Sequence, residues 1–92
     1  MIINFRNRAL KKLFEREDKS GFNPDHLEKI NNILGMLNTA SSIQELSLPG
    51  LKLHRLTGNL KGFWSVTVRA NWRIIFRFED GNVHDVDFVD YH

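Results

Sequence analysis

The sequence predicts an α+β domain in which two N-terminal helices cover the apolar face of a hairpin-built sheet of four to five strands. Apolar residues recur at helical spacing up to about residue 40. From Leu51 onward they alternate with polar residues at strand spacing, and Pro49-Gly50 separates the two regimes. The 92 residues make one domain, 1–92, and 41% hydrophobic content with seven Phe and two Trp is enough bulk to fill a core.

Ile2-Ile3-Asn4-Phe5 reads as a short first strand. Residues 7–17 read as a basic amphipathic helix, with Leu10, Leu13 and Phe14 inward and Lys11, Lys12 and Arg16 outward. Ser20-Gly21-Phe22 breaks it. Asn23 then caps a second helix that has Pro24 at its first position and an inward stripe of Leu27, Ile30, Ile33, Leu34 and Leu37. Ser42-Ile43-Gln44-Glu45 has capping-box spacing and predicts a further helical turn.

Leu51 to Leu56 reads as a strand whose alternation slips after His54, which predicts a bulge there. Thr57-Gly58-Asn59 opens a turn. Trp64, Val66 and Val68 then face the core, with Ser65, Thr67 and Arg69 facing away. In the following strand Trp72, Ile74, Phe76 and Phe78 are inward and Arg73 and Arg77 outward; Val86 and Phe88 are inward in the last. Parity sets the expected registers. Val68 opposite Ile74 and Val66 opposite Phe76 centre a hairpin on Asn71 and put Arg69 across from Arg73, a pairing favourable only around an anion. Ile74 with Phe88 and Phe76 with Val86 require an odd loop around Gly81, with Arg77 against Asp85 and Tyr91 near Asn71. Arg69, Asn71, Arg73 and Tyr91 are thus expected at one corner of the sheet.

Charge is segregated although the net value is only +2. No acid occurs between Glu45 and Glu79, a stretch holding Lys52, Arg55, Lys61, Arg69, Arg73 and Arg77. The tail then carries Glu79, Asp80, Asp85, Asp87 and Asp90 without Lys or Arg. For any single arginine, an ion pair with this tail is the plainer reading. The acid-free block as a whole marks an anionic partner. The chain has no Cys, which removes disulfide and thiolate chemistry and fits a cytoplasmic location. It shows no signal-peptide h-region and no run near the roughly 20 apolar residues of a membrane helix. Four scattered His residues without paired spacing give no metal site, and there is no P-loop and no nucleophile elbow. No cofactor is expected.

Cutting RNA without metal requires deprotonation of a 2′-hydroxyl, stabilisation of the phosphorane and protonation of the leaving 5′-oxygen. His54, Asp90, Tyr91 and His92 are candidates for proton transfer, since imidazole titrates near neutrality. Arg73 and Arg69 supply a cationic cradle, and Asn71 a hydrogen-bonding group for a base or backbone oxygen. Each has a plainer reading. His54 fits a half-buried histidine satisfied by a carbonyl, Tyr91 a sheet edge, Asp90 an arginine's partner, and a terminal His92 is more often frayed than functional. Trp64 and Trp72 have core parity, and His26 and His84 read as surface residues.

Three runs, Leu53-His54-Arg55-Leu56-Thr57-Gly58, Gly62 to Ile74 and Asp87-Phe88-Val89-Asp90-Tyr91-His92, resemble the HigB toxins of the RelE/ParE superfamily. Ile2-Ile3-Asn4-Phe5 and Leu13-Phe14-Glu15 are similar to the usual start of these toxins, so the resemblance spans the chain. The Asn71-Trp72-Arg73 and terminal Asp-Tyr-His elements are distinctive together. The resemblance implies a RelE-like fold, with helices on a twisted, mainly antiparallel sheet. It implies an mRNA endonuclease acting in the decoding site of the 70S ribosome, without a membrane, and a small helix-turn-helix antitoxin of the HigA type. The family's active-site positions fall on His54, Asn71, Arg73, Asp90, Tyr91 and His92, with Arg69 nearby. Some members carry a lysine where this chain has Thr57. Threonine offers no cation to the phosphorane, so Lys52, Arg55 or Lys61 would have to compensate, or the cut is slower or differently selective.

The roles expected are Arg73, helped by Arg69, as charge stabiliser, His92 or Asp90 as base, and Tyr91 or His54 as acid. Two other classes fit the same features. One is a non-cleaving ParE-like gyrase inhibitor, which needs no acid–base set. The other is a non-catalytic RNA-binding module, whose salt-dependent binding survives replacement of Tyr91 and His92.

Overall fold

The computed structural model describes residues 1–90; Tyr91 and His92, and the expectations placed on them, lie outside the described residues. Helix α1 (Arg8–Arg16) begins where the Asn7 side chain accepts a hydrogen bond from the Leu10 amide, 2.9 Å, and buries Leu10 and Leu13. Its connection to α2 passes close to it. A Cβ at Gly21 would lie 2.7 Å from the Ala9 Cβ, so only glycine allows the approach. Helix α2 (Pro24–Thr39) starts with Asn23 accepting from the Asp25 amide and with proline at its first position, as expected. Ile30, Ile33, Leu34 and Leu37 are buried and Leu27 is half-buried against them. A 3-10 turn, Ile43–Leu46, follows on the expected capping box of Ser42 and Glu45.

Four antiparallel strands form the sheet in sequence order: β1 (His54–Arg55), β2 (Trp64–Arg69), β3 (Trp72–Glu79) and β4 (Asn82–Asp90). The N-terminal segment is not a regular strand. It runs parallel along the outer edge of β4 through isolated bridges at Ile2–Val83 and Phe5–Val86, and the Ile2 amide donates to Asn38 Oδ1. Both helices pack on one sheet face, where Val66, Val68, Ile74, Phe76, Val83 and Val86 meet the helix stripes.

The other face holds a second, smaller core that parity reasoning did not foresee. Leu56, Phe63 and Ile75 are buried there, with Leu60 and Val89 against them. This corrects two expectations. Ser65 does not face solvent but is fully buried, because its face is roofed by this cluster. Leu56 requires no bulge after His54: Leu51 and Leu53 join the helix-side core and Leu56 the opposite one, as uninterrupted alternation demands. Strand β1 is short because Pro49–Leu51 forms a 3-10 turn and Lys52 is left-handed, φ 50°.

Both hairpin registers also differ from expectation. The β2–β3 pairing sets Val66 opposite Ile74 and Thr67 opposite Arg73, with a bulge at Val68, so Arg69 pairs with Trp72 and does not face Arg73. The β3–β4 turn is the two-residue Asp80-Gly81, both at positive φ, 53° and 76°, and not an odd loop. Ile74 still meets Phe88, because β4 takes up the extra residue as a bulge centred on left-handed Asp85, φ 55°. The bulge pairs Arg77 with His84, a half-buried residue rather than a surface one, yet the expected ion pair forms: Arg77 Nε lies 2.8 Å from Asp85 Oδ2. Asn4 Nδ2 donates to Asp85 Oδ1, 2.7 Å, and the Asp85 amide donates to Asn4 Oδ1, 2.9 Å. The bulge therefore staples the N-terminal segment to the sheet.

The Asn4 amide, then the Arg77 guanidinium, hold the Asp85 carboxyl below the ordinary Asp value. A folded-state pKa depressed below the unfolded value of about 3.9 stabilises the fold above that pH, and this stability is lost as pH falls through the folded pKa. Asp85→Asn is expected to be less stable than wild type at pH 7 and to lose stability less steeply below about pH 5. Urea unfolding at a series of pH values measures both.

Candidate active site

The helix-free face gathers the candidate residues in rows set by strand pairing. One row runs Thr67, Arg73, Val89; the next runs His54, Ser65, Ile75, Asp87. Standard strand spacings place the Arg73 and His54 Cα atoms about 12 Å apart, and the Arg73 guanidinium is turned toward the Ala70 carbonyl, away from the His54 row. Val89 is the Cα partner of Arg73 and Ile75 is next on its face, and the arginine is half-buried.

Arg73 Nη1 donates to Thr67 Oγ1, 2.5 Å, and to the Ala70 carbonyl, 3.4 Å. Among the described residues its Nε is buried without a hydrogen-bond partner, as is Ser65 Oγ. The salt bridges among the described residues are those of Arg77, with Asp85 and Glu79. The plainer reading of the arginines as partners of the acidic tail thus holds for Arg77. Among the described residues Arg73 is held instead by neutral oxygens, which fix its orientation without cancelling its charge.

His54 is exposed, with Nδ1 3.1 Å from the Lys52 carbonyl. A carbonyl only accepts, so the proton sits on Nδ1 and Nε2 is the nitrogen that exchanges protons. Arg69 is exposed at the end of β2, and Asn71 is exposed in the turn. Asp90, also exposed, is the Cα partner of Trp72. Alternation along β4 sets Asp90 on the Phe88 side of the strand end, so it belongs to the Asn71 corner without sharing Arg73's face. Below this corner an aromatic stack braces the strand ends: Trp72 lies flat on Phe88 at 4.8 Å, Phe22 meets Phe88 edge-on at 5.4 Å, and His26 lies 6.5 Å from Trp72.

The other basic candidates are spread out. Lys52 is exposed beside His54. The Arg55 guanidinium stacks over Trp64 at 5.3 Å, on the helix side of the sheet. Thr57 and Lys61 flank the 3-10 turn Gly58–Leu60, at the opposite end of β2 from Asn71. Of Lys52, Arg55 and Lys61, Lys52 has the placement nearest the His54 row. Sequence reasoning passed over Thr67; its outward parity beside Arg69 was visible, but its pairing with Arg73 follows from a register shifted by two residues from the expected one.

Proteins of known kind are similar to this chain in sequence. The profile of a RelE-like toxin of type II toxin–antitoxin system, HigB, matches residues 3–92. The chain belongs to the HigB family of type II toxins. It is 44% identical over 92 residues, all of both chains, to the endoribonuclease HigB of Proteus vulgaris. It is 30% identical to toxin HigB-1 of Vibrio cholerae serotype O1, covering 88% of this chain and 87% of that one. Two helices on a four-stranded antiparallel sheet agree with the RelE-like fold that the sequence resemblance implied. A HigB toxin of a type II system has an antitoxin as its partner. Among the described residues no helix is long and apolar enough to cross a membrane.

Proposed function

We propose that this HigB-family chain is a ribosome-dependent endoribonuclease that cuts message in the decoding site and so arrests translation. The observation that carries the reading is Arg73. Its guanidinium lies on the helix-free sheet face, oriented by neutral oxygens, in the row next to the one that carries His54. The 44% identical relative's designation as an endoribonuclease supports the same reaction. The site of action is the cytoplasm, and the antitoxin is a small helix-turn-helix protein of the HigA type.

The reaction follows from the groups available. A base, His92 or Asp90, removes the 2′-hydroxyl proton, and the oxygen attacks the adjacent phosphate. Arg73, with Arg69, stabilises the charge that develops on the phosphorane oxygens. An acid, Tyr91 or His54, protonates the leaving 5′-oxygen, and His54 does so through Nε2. The products are a 2′,3′-cyclic phosphate and a 5′-hydroxyl. Asn71 and Lys52 hold the RNA strand beside the cut. Arg55 and Lys61, displaced from this row, bind backbone farther along, and Thr57 leaves the phosphorane without an additional lysine.

Inducing the protein in cells and mapping new 5′ ends on message tests the reading. New ends confined to translated regions are expected. Unbroken message with normal protein synthesis would overturn it. His54→Ala is expected to slow cutting on programmed ribosomes by about 10²–10⁴-fold, the range for loss of a general acid–base group.

A further inference from the structure

We infer that Thr67 is a positioning residue that orients Arg73 for the cleavage step. This deepens the proposed function and rests on Arg73 acting at the scissile phosphate. Thr67 and Arg73 are Cα partners, the last in-register pair before Val68 bulges out of the ladder. The bulge brings the turn back so that the Ala70 carbonyl, at a residue with φ 51°, reaches the same nitrogen as the Thr67 hydroxyl. Nη1 is therefore committed to two oxygens of the protein, and Nε is buried. Among the described residues Nη2 is the guanidinium nitrogen left without a hydrogen bond and not counted with the buried, unsatisfied atoms.

This changes how the arginine meets RNA. A guanidinium free on both edges takes phosphate bidentately through Nη and Nε. Here Nε and Nη1 are both withdrawn, so neither two-nitrogen edge is open and the phosphate meets Nη2 at a single point. A single-point contact lacks the two-point alignment that a bidentate pair supplies, so alignment has to come from the protein. Thr67 supplies it: its hydroxyl accepts from Nη1 and sets the plane of the group. Its hydroxyl is uncharged, so it contributes to where the charge sits rather than to how much charge attracts the RNA.

Single-turnover cleavage of message on programmed ribosomes, over a range of toxin concentrations, separates these contributions. Thr67→Val keeps the β-branched shape and removes the acceptor. It is expected to lower the maximal rate by about 10- to 100-fold, the scale of a misaligned catalytic group. The half-saturating concentration and the melting temperature should stay at wild type. Thr67→Ser, which keeps the hydroxyl, should restore most of the rate. Thr67→Ala, which removes the oxygen without adding a methyl, should fail like valine. In an Arg73→Ala background, Thr67→Val should cost nothing further, because a residue acting through Arg73 has nothing left to act on. A wild-type or faster rate in Thr67→Val beside an inactive Arg73→Ala overturns the positioning role alone. An active Arg73→Ala overturns the function proposed for Arg73 and this role with it.

Discussion

Arg73→Ala is expected to slow message cleavage by about 10²–10³-fold and to abolish toxicity, with the fold intact. The size follows from the chemistry. Charge accumulates on the phosphorane oxygens in the transition state, and one preorganised donor aimed at it is worth that much. The preorganisation is visible, since Thr67 and Ala70 hold Nη1. The effect on stability is small for an equally local reason. The substitution gives up hydrogen bonds worth about 1 kcal/mol each, and it also removes a buried, unsatisfied Nε. Circular dichroism and a urea titration of the variant should therefore lie close to wild type. An unfolded variant would make Arg73 a structural residue.

Phe76→Ala is expected to cost about 3–5 kcal/mol. Phe76 is completely buried between the helix stripes and the centre of β3, where Val66, Ile74 and Val86 share its face. A domain of this size has about 5–15 kcal/mol of total stability, so a large part of it goes with one ring. The melting temperature should fall by at least about 12 °C. The sequence ranks Trp72 with Phe76 as a core aromatic; the structure separates them. Trp72 is half-buried and spends one face on Phe88 at the end of β4. Trp72→Ala should therefore destabilise less than Phe76→Ala and disturb the Asp90 end more. Thermal melts of the two variants, side by side, read this order directly.

Local chemistry was legible wherever one segment settled it. The Asn7 cap, the Asn23-Pro24 start and the Ser42 capping box each depend on residues within one turn, and each helix or turn begins where its cap predicts. Face parity along a single strand was mostly legible too. Relations between strands were not. A two-residue turn and an odd loop satisfy the same parity once a bulge is allowed, and left-handed Asp85 carries no glycine to announce one. A two-residue turn and the Val68 bulge together likewise shift the hairpin by two residues, so that Thr67 and not Arg69 pairs with Arg73. The second core escaped because Leu56, Phe63 and Ile75 lie in three separate segments, and none forms an apolar stripe by itself. At the site, register reasoning expected Arg69, Asn71, Arg73 and Tyr91 at one corner and the family resemblance added Asp90; Asn71, Arg73 and Asp90 lie at one end of β3 and β4, with Asp90 off Arg73's face, while Arg69 pairs with Trp72 and Tyr91 lies outside the described residues. The clamp on Arg73 came from the shifted register and could not be read in advance.

If Arg73 acts on the helix-free face as proposed, RNA is cut by attack of the 2′-oxygen on the neighbouring phosphate. Product termini, analysed after purified toxin acts on programmed ribosomes, report this step. Fragments ending in a 2′,3′-cyclic phosphate and beginning with a 5′-hydroxyl are expected from wild type and not from Arg73→Ala. Intact message, with protein synthesis blocked or gyrase supercoiling inhibited instead, would contradict it, as would fragments carrying 5′-phosphates.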